Sequence, residues 1–213
     1  MGASVRAELT PEFESMRRIF VCLFLLVAPL MAQDRLQPGT VGATVPTFEA
    51  SVGYTYFNMD LPAQRVGLTG LDGSGLVNFN SRWGVTVDSL YARKGSVFGT
   101  GQSANVLSLL AGPVFYPAVF SKSAIFIHGL VGACRVESAV PVSGTSSYLN
   151  GWVARPTYAV GGGLERSLFG PLGVRIQGDY QYTSFGDTAG AIHGQNNLRL
   201  ATSIVYRFGS RQY

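Results

Sequence analysis

Residues 172–187 read LGVRIQGDYQYTSFGD. Leu172, Val174, Ile176, Gly178, Tyr180 and Tyr182 form one alternate set, and Arg175, Gln177, Asp179, Gln181 and Thr183 form the other. A period of two places the sets on opposite faces of an extended strand. Many soluble sheets share this alternation. The fold is decided by which face meets the surroundings and which meets the rest of the chain.

The rest of the composition answers that. A soluble barrel or sandwich turns its apolar face inward and coats the outside with lysine and glutamate. This chain of 213 residues contains two lysines, Lys94 and Lys122, and both fall between alternating segments. Charged residues make up 13%, about half the share usual in soluble domains. The apolar set is therefore expected to face lipid and the polar set a closed lumen. Closure also pairs every backbone group, as a bilayer requires. The net charge of +4 comes from scattered arginines without a basic stripe, so no nucleic-acid partner is expected.

Eight alternating segments follow one another at about 48–58, 70–80, 84–93, 104–116, 124–136, 156–167, 172–183 and 196–208. Each is long enough for a tilted membrane strand of about nine to eleven residues. The connections alternate in length. MDLPAQRVGLT, KGSVFGTGQS, residues 137–155 and SFGDTAGAIHGQ are long, whereas SRW, PAVFSKS and FGP are short. Long loops at one end and tight turns at the other predict an all-β, transmembrane, antiparallel up-and-down barrel of eight strands, with the long loops outside the cell.

The polar sets mix small residues, amides, carboxylates and arginines, which suits a crowded interior. Counting five residues either way from Gly170 sets Glu165 opposite Arg175. Asp179 and Arg199 fall at inward positions on the last two strands, and Asp72 and Asp88 supply carboxylates from across the barrel. Isolated charges there would be costly, so Glu165, Arg175, Asp179, Arg199, Asp72 and Asp88 are expected to form a paired lumen network. Tyr54, Tyr56, Tyr91, Phe115, Tyr116, Tyr158, Phe169, Tyr180, Tyr182, Tyr206 and Phe208 cluster near strand ends, as interfacial girdles do.

Before the barrel, MRRIFVCLFLLVAPLMA (residues 16–32) has a positive n-region, an apolar run and a small residue at Ala32. It reads as a signal peptide, with translation starting at Met16 and residues 1–15 as an extension. The expected organisation is thus 1–32 extension and signal, 33–47 flexible lead, 48–208 barrel and 209–213 tail. Cys22 lies in the signal, which leaves Cys134 as the mature cysteine, expected to behave as a small buried hydrophobe.

The C-terminal NNLRLATSIVYRF, together with GVTVDSLYARKG and GGGLERSLFGPLGVRIQGDYQYTSFG, resembles bacterial OmpA-like eight-stranded outer-membrane barrels. The resemblance covers about residues 48–208, as a barrel domain without a peptidoglycan-binding domain. It implies residence in the bacterial outer membrane, contact with outer-membrane lipid, and reading of the last strand by the barrel-assembly machinery through Ile204, Tyr206 and Phe208. GSRQY after Phe208 departs from family members that stop at the aromatic.

Little in the sequence suggests catalysis. His128 sits mid-strand and is expected to point inward and be hydrogen-bonded. His193 lies in a glycine-rich stretch read as a loop. Neither histidine has a partner at metal-ligand spacing, and no cofactor or metal is expected. The GGG at 161–163 is expected to give interior space or strand flexibility rather than to hold phosphate. The expected function is a structural or surface-interaction role for a monomer, the barrel acting as anchor and the long loops meeting an extracellular ligand the sequence does not name. A lipid A-modifying enzyme and a narrow small-solute channel are the alternatives. Eight strands leave room mostly for side chains, so no open pore is expected.

Overall fold

A computed structural model of the chain describes residues 44–60, 65–97, 102–141, 148–186, 192–209 and 211–212. The signal peptide, the Met16 start and residues 33–43 of the lead lie outside the described residues. Ten strands follow in chain order: β1 (Thr44–Val45), β2 (Phe48–Asp60), β3 (Arg65–Asn78), β4 (Trp83–Val97), β5 (Gln102–Val119), β6 (Ser123–Pro141), β7 (Tyr148–Phe169), β8 (Leu172–Gly186), β9 (Ile192–Phe208) and β10 (Arg211–Gln212). Strands β2 to β9 form a closed antiparallel barrel, and β1 pairs with β10.

Closure is made by β9 against β2, from Phe48↔Phe208 to Asn58↔Leu198. The short turns owe their tightness to particular residues. Asn80 Oδ1 accepts from the backbone N–H groups of Arg82 and Trp83, each at 2.8 Å, the turn-forming use of an Asn side chain. Gly170 adopts φ +53° between β7 and β8, a conformation that favours glycine.

The strands run further than alternation predicts at the long-connection end. Residues 137–155, expected as a loop, are largely strand: β6 and β7 stay paired out to Pro141↔Tyr148. Likewise β8 and β9 pair out to Gly186↔Ile192, so His193 stands in a strand opposite Phe185 rather than in a loop. The lead and the tail differ from expectation as well, since Thr44↔Gln212 and Val45↔Arg211 are strand partners. Backbone pairing needs no amphipathic signature once a strand leaves the bilayer, which is why the pattern stopped short.

The two faces divide as the alternation implies. On β8, Arg175, Gln177, Asp179, Gln181 and Thr183 are buried, whereas Tyr180 and Tyr182 are exposed. Val52, Leu71, Leu109, Val131, Val160 and Ile204 are also exposed on the outer face. The lumen is not polar throughout. Phe57, Met59, Val66, Leu68, Leu90, Ala92, Ala104, Val106 and Cys134 form an apolar cluster toward the long-connection end. Leu76, Val114, Tyr116 and Phe126 form a second toward the short turns. Tyr116, expected in the outer girdle, is instead buried within the lumen.

Candidate functional site

The charged residues of the lumen form two groups, the first of them level with the short-turn apolar cluster, since Glu49 stands opposite Leu76. The first centres on Arg175 of β8. Glu165 is its cross-strand partner on β7, so the tight turn at Gly170 alone brings the pair together. Arg175 Nη2 donates to Glu165 Oε2 at 2.7 Å and to Glu49 Oε2 at 2.9 Å, and Nη1 donates to Ser74 Oγ at 3.2 Å. Arg207 bonds the other oxygen of Glu165 and donates to Ser167 Oγ at 2.9 Å. The Arg175 guanidinium also lies 5.2 Å from the centre of the Phe126 ring, within cation–π range.

The second part centres on Arg199 of β9. Its two terminal nitrogens grip both oxygens of Asp88 across the lumen. This fork-on-carboxylate geometry is the strong form of the pair. Arg199 Nε lies 2.8 Å from Asp179 Oδ2, close enough for an ion pair but not aligned as a hydrogen bond. Asp179 is also 2.7 Å from His128 Nε2 and accepts from Gln177 Nε2 at 3.0 Å. Inward-facing Gly161 permits this crowding, because a Cβ there would come within 2.0 Å of Asp179 Oδ1.

Five of the six residues singled out from the sequence thus engage one another or a close charged partner: Glu165 with Arg175, and Asp179 with Arg199 and Asp88. Asp72 differs. Its Oδ2 accepts from Ser203 Oγ at 2.8 Å, with no arginine in hydrogen-bond contact among the described residues. Glu49 and Arg207 complete the first group, and sequence reasoning had not placed them there. Both occupy inward positions of their alternating strands, which was the available signal. The carboxylates and guanidiniums are consumed by one another, so the arrangement can lock strands together and close the lumen. A cavity of about 10 Å³, lined by Ser74, Asp88, Tyr116, His128 and Arg175, is the space between the two groups, room for about one water. Among the described residues no group of three or more His, Cys, Asp or Glu is placed to hold a metal ion.

Ile204, Tyr206 and Phe208 are exposed on the outer face of β9. The Phe208 ring lies 4.5 Å from that of Tyr206 and 5.5 Å from that of Phe48 on the closing strand.

No family model matches the chain, and no curated protein matches it either. Solved structures do. Neisserial surface protein A superposes with a TM-score of 0.60 at 9% identity, covering 78% of this chain and 99% of that one. Ail, the attachment invasion locus protein of Yersinia pestis, gives 0.55 at 18% identity, covering 77% and 100%. The outer-membrane protein OprG of Pseudomonas aeruginosa gives 0.50 at 12% identity, covering 80% and 99%. The chain has the eight-stranded fold of outer-membrane β-barrels.

Proposed function

We propose that this chain is a bacterial outer-membrane protein whose barrel is an anchor and whose long-connection end, led by the β6–β7 hairpin, faces outward in a structural or surface-interaction role. The observation that carries this reading is the inversion of polarity. Exposed Leu, Val, Ile and Tyr cover the outside, while ion-paired Glu49, Glu165, Arg175, Asp88, Asp179 and Arg199 fill the inside. Such a surface is stable against lipid and not against water. The layered packing of the lumen argues against a channel. The protruding paired hairpin gives the anchor something to present. Two of the similar barrels are a surface protein and an attachment invasion locus protein, which is the class of role proposed.

In this reading the outer-membrane lipid surrounds the strands and the protein works as a monomer. The barrel-assembly machinery reads Ile204, Tyr206 and Phe208. The alternative of a lipid-modifying enzyme has weaker support, because His128 is buried in the lumen against Asp179 and Phe126 rather than open to lipid. Protease treatment of intact cells tests orientation and exposure together. Cleavage confined to 137–155 is the expected result. Protection of that segment in intact cells, with cleavage at the short turns or after cell breakage, would reverse the proposed orientation.

A further inference from the structure

Among the described strands, every barrel interface except β9–β2 joins chain neighbours, so a connection at one end holds its two strands together. The short turns tie β3 to β4, β5 to β6 and β7 to β8. At that same end β2 begins at Phe48 and β9 ends at Phe208, with no turn between them. The partners in this seam lie far apart in the chain, so its pairing closes the largest loop of the barrel and carries the largest closure cost. Here the wall is free to fray.

The pairing of first and last strands does not stop at Phe48↔Phe208. Val45↔Arg211 stands three residues further on along both strands, and Thr44↔Gln212 four residues further on along both. The β1–β10 ladder therefore continues the register of the seam. Two tails that met by chance would have no reason to share it.

The interruption between the two ladders has a local cause. Pro46 has no backbone N–H to give to a partner. Gly209 adopts φ +64°, a conformation that favours glycine. The carbonyls of Pro46 and Thr47 turn to β3 instead. Asn78 Nδ2 donates to Pro46 O, and the Asn78 backbone N–H donates to Thr47 O, each at 3.0 Å. Asn78 is buried at the end of β3. On the other side of the seam, the backbone N–H of Arg207 donates to Pro171 O in the β7–β8 turn at 3.0 Å. The root of β1 is thus pinned to one neighbour of the seam and the end of β9 to the other. That anchoring delivers β1 and β10 to each other in register.

We propose that β1 and β10 form a terminal clasp, a strap that takes the place of the missing turn and keeps the β2–β9 seam from opening at its short-turn end. GSRQY, the segment by which this chain runs past the aromatic at Phe208, is the half of the clasp supplied by the tail. The clasp forms once the seam has brought Phe48 to Phe208. Contacts made that late are absent from the folding transition state, so they slow unfolding and leave the folding rate nearly unchanged. The β2–β9 ladder decides whether the barrel closes, and the clasp decides how long it stays closed. This goes beyond the anchor role and holds for either orientation of the barrel in its membrane.

The test is made on the barrel purified from membranes in detergent, with unfolding in denaturant followed by tryptophan fluorescence. In a Cys134→Ser background, Thr44→Cys and Gln212→Cys are directly opposed, at a spacing a disulfide can bridge. Oxidation should join them and slow unfolding at least about tenfold relative to the reduced form. The pair Thr44→Cys and Arg211→Cys, one residue out of register and on opposite faces, should not join. Deleting residues 209–213 should raise the unfolding rate about fivefold, the scale of two cross-strand pairs, with refolding within about twofold of wild type. The oxidised and reduced forms of the 44–212 pair give the same reading in a chain of unchanged length, should the shortened one fail to fold. The proposal is overturned if the 44–212 pair does not join, if the 44–211 pair joins as readily, if oxidation leaves the unfolding rate unchanged, or if the deletion slows refolding instead of hastening unfolding.

Discussion

Arg175 Nη2 stands between two carboxylates, 2.7 Å from Glu165 Oε2 and 2.9 Å from Glu49 Oε2. Glu165 comes from the adjacent strand β7, and Glu49 from β2, on the far side of β9. One guanidinium thereby ties the closing seam of the barrel to the β7–β8 hairpin. Removing a single member leaves an uncompensated buried charge. Glu165→Gln and Arg175→Gln should each cost about 3–5 kcal/mol, read by unfolding in detergent or lipid. The double mutant should cost less than the sum, with a coupling above about 0.5 kcal/mol. Additive effects would mean the two side chains do not share an interaction.

Two glycines separate packing from propensity. A Cβ on Gly161 would meet Asp179 Oδ1 at 2.0 Å and Gly178 O at 2.5 Å, whereas a Cβ on Gly129 meets nothing within 4 Å. Gly161→Ala should destabilise by about 1–3 kcal/mol through overpacking. Gly129→Ala should stay within about 0.5 kcal/mol of wild type. Equal unfolding midpoints for the two variants would contradict the close approach of β7 and β8.

The lumen should not conduct. Purified protein added to a planar bilayer is expected to leave the baseline current unchanged, because side chains of eight strands fill the interior and the charged layer is paired throughout its centre. Sustained stepwise currents would show that the ion pairs open.

Phe208 joins β9 to the closing seam through its contact with Phe48. Phe208→Ala is expected to lower the yield of folded barrel more than deletion of residues 209–213. That deletion removes the short β1–β10 pairing and leaves the β2–β9 ladder intact. The opposite ranking in a folding-yield assay would move the assembly determinant into the tail.

How much of this the sequence disclosed differs from residue to residue. Alternation over Leu172 to Thr183 carries the face assignment because the side-chain period of a strand is two. The Glu165–Arg175 pairing was countable because the turn at Gly170 is tight. Long-range partners were not countable: Glu49 reaches Arg175 across β9, and Asp72 meets Ser203, through a closure register that no local pattern specifies. Tyr116 was misplaced because an aromatic near a strand end reads as girdle, although it continues the inward alternation of Ser108, Leu110 and Val114. The apolar lumen layer from Phe57 to Cys134 was overlooked because an inward Leu and an outward Leu look alike in sequence.

The central claim is that the apolar face of the barrel meets lipid. The most direct test is fractionation of cells followed by electrophoresis of heated and unheated samples. Recovery in the outer-membrane fraction, release by detergent alone, and a faster-migrating band that heating converts to the mass of the unfolded mature chain are expected. A folded protein recovered from the soluble fraction without detergent would contradict it.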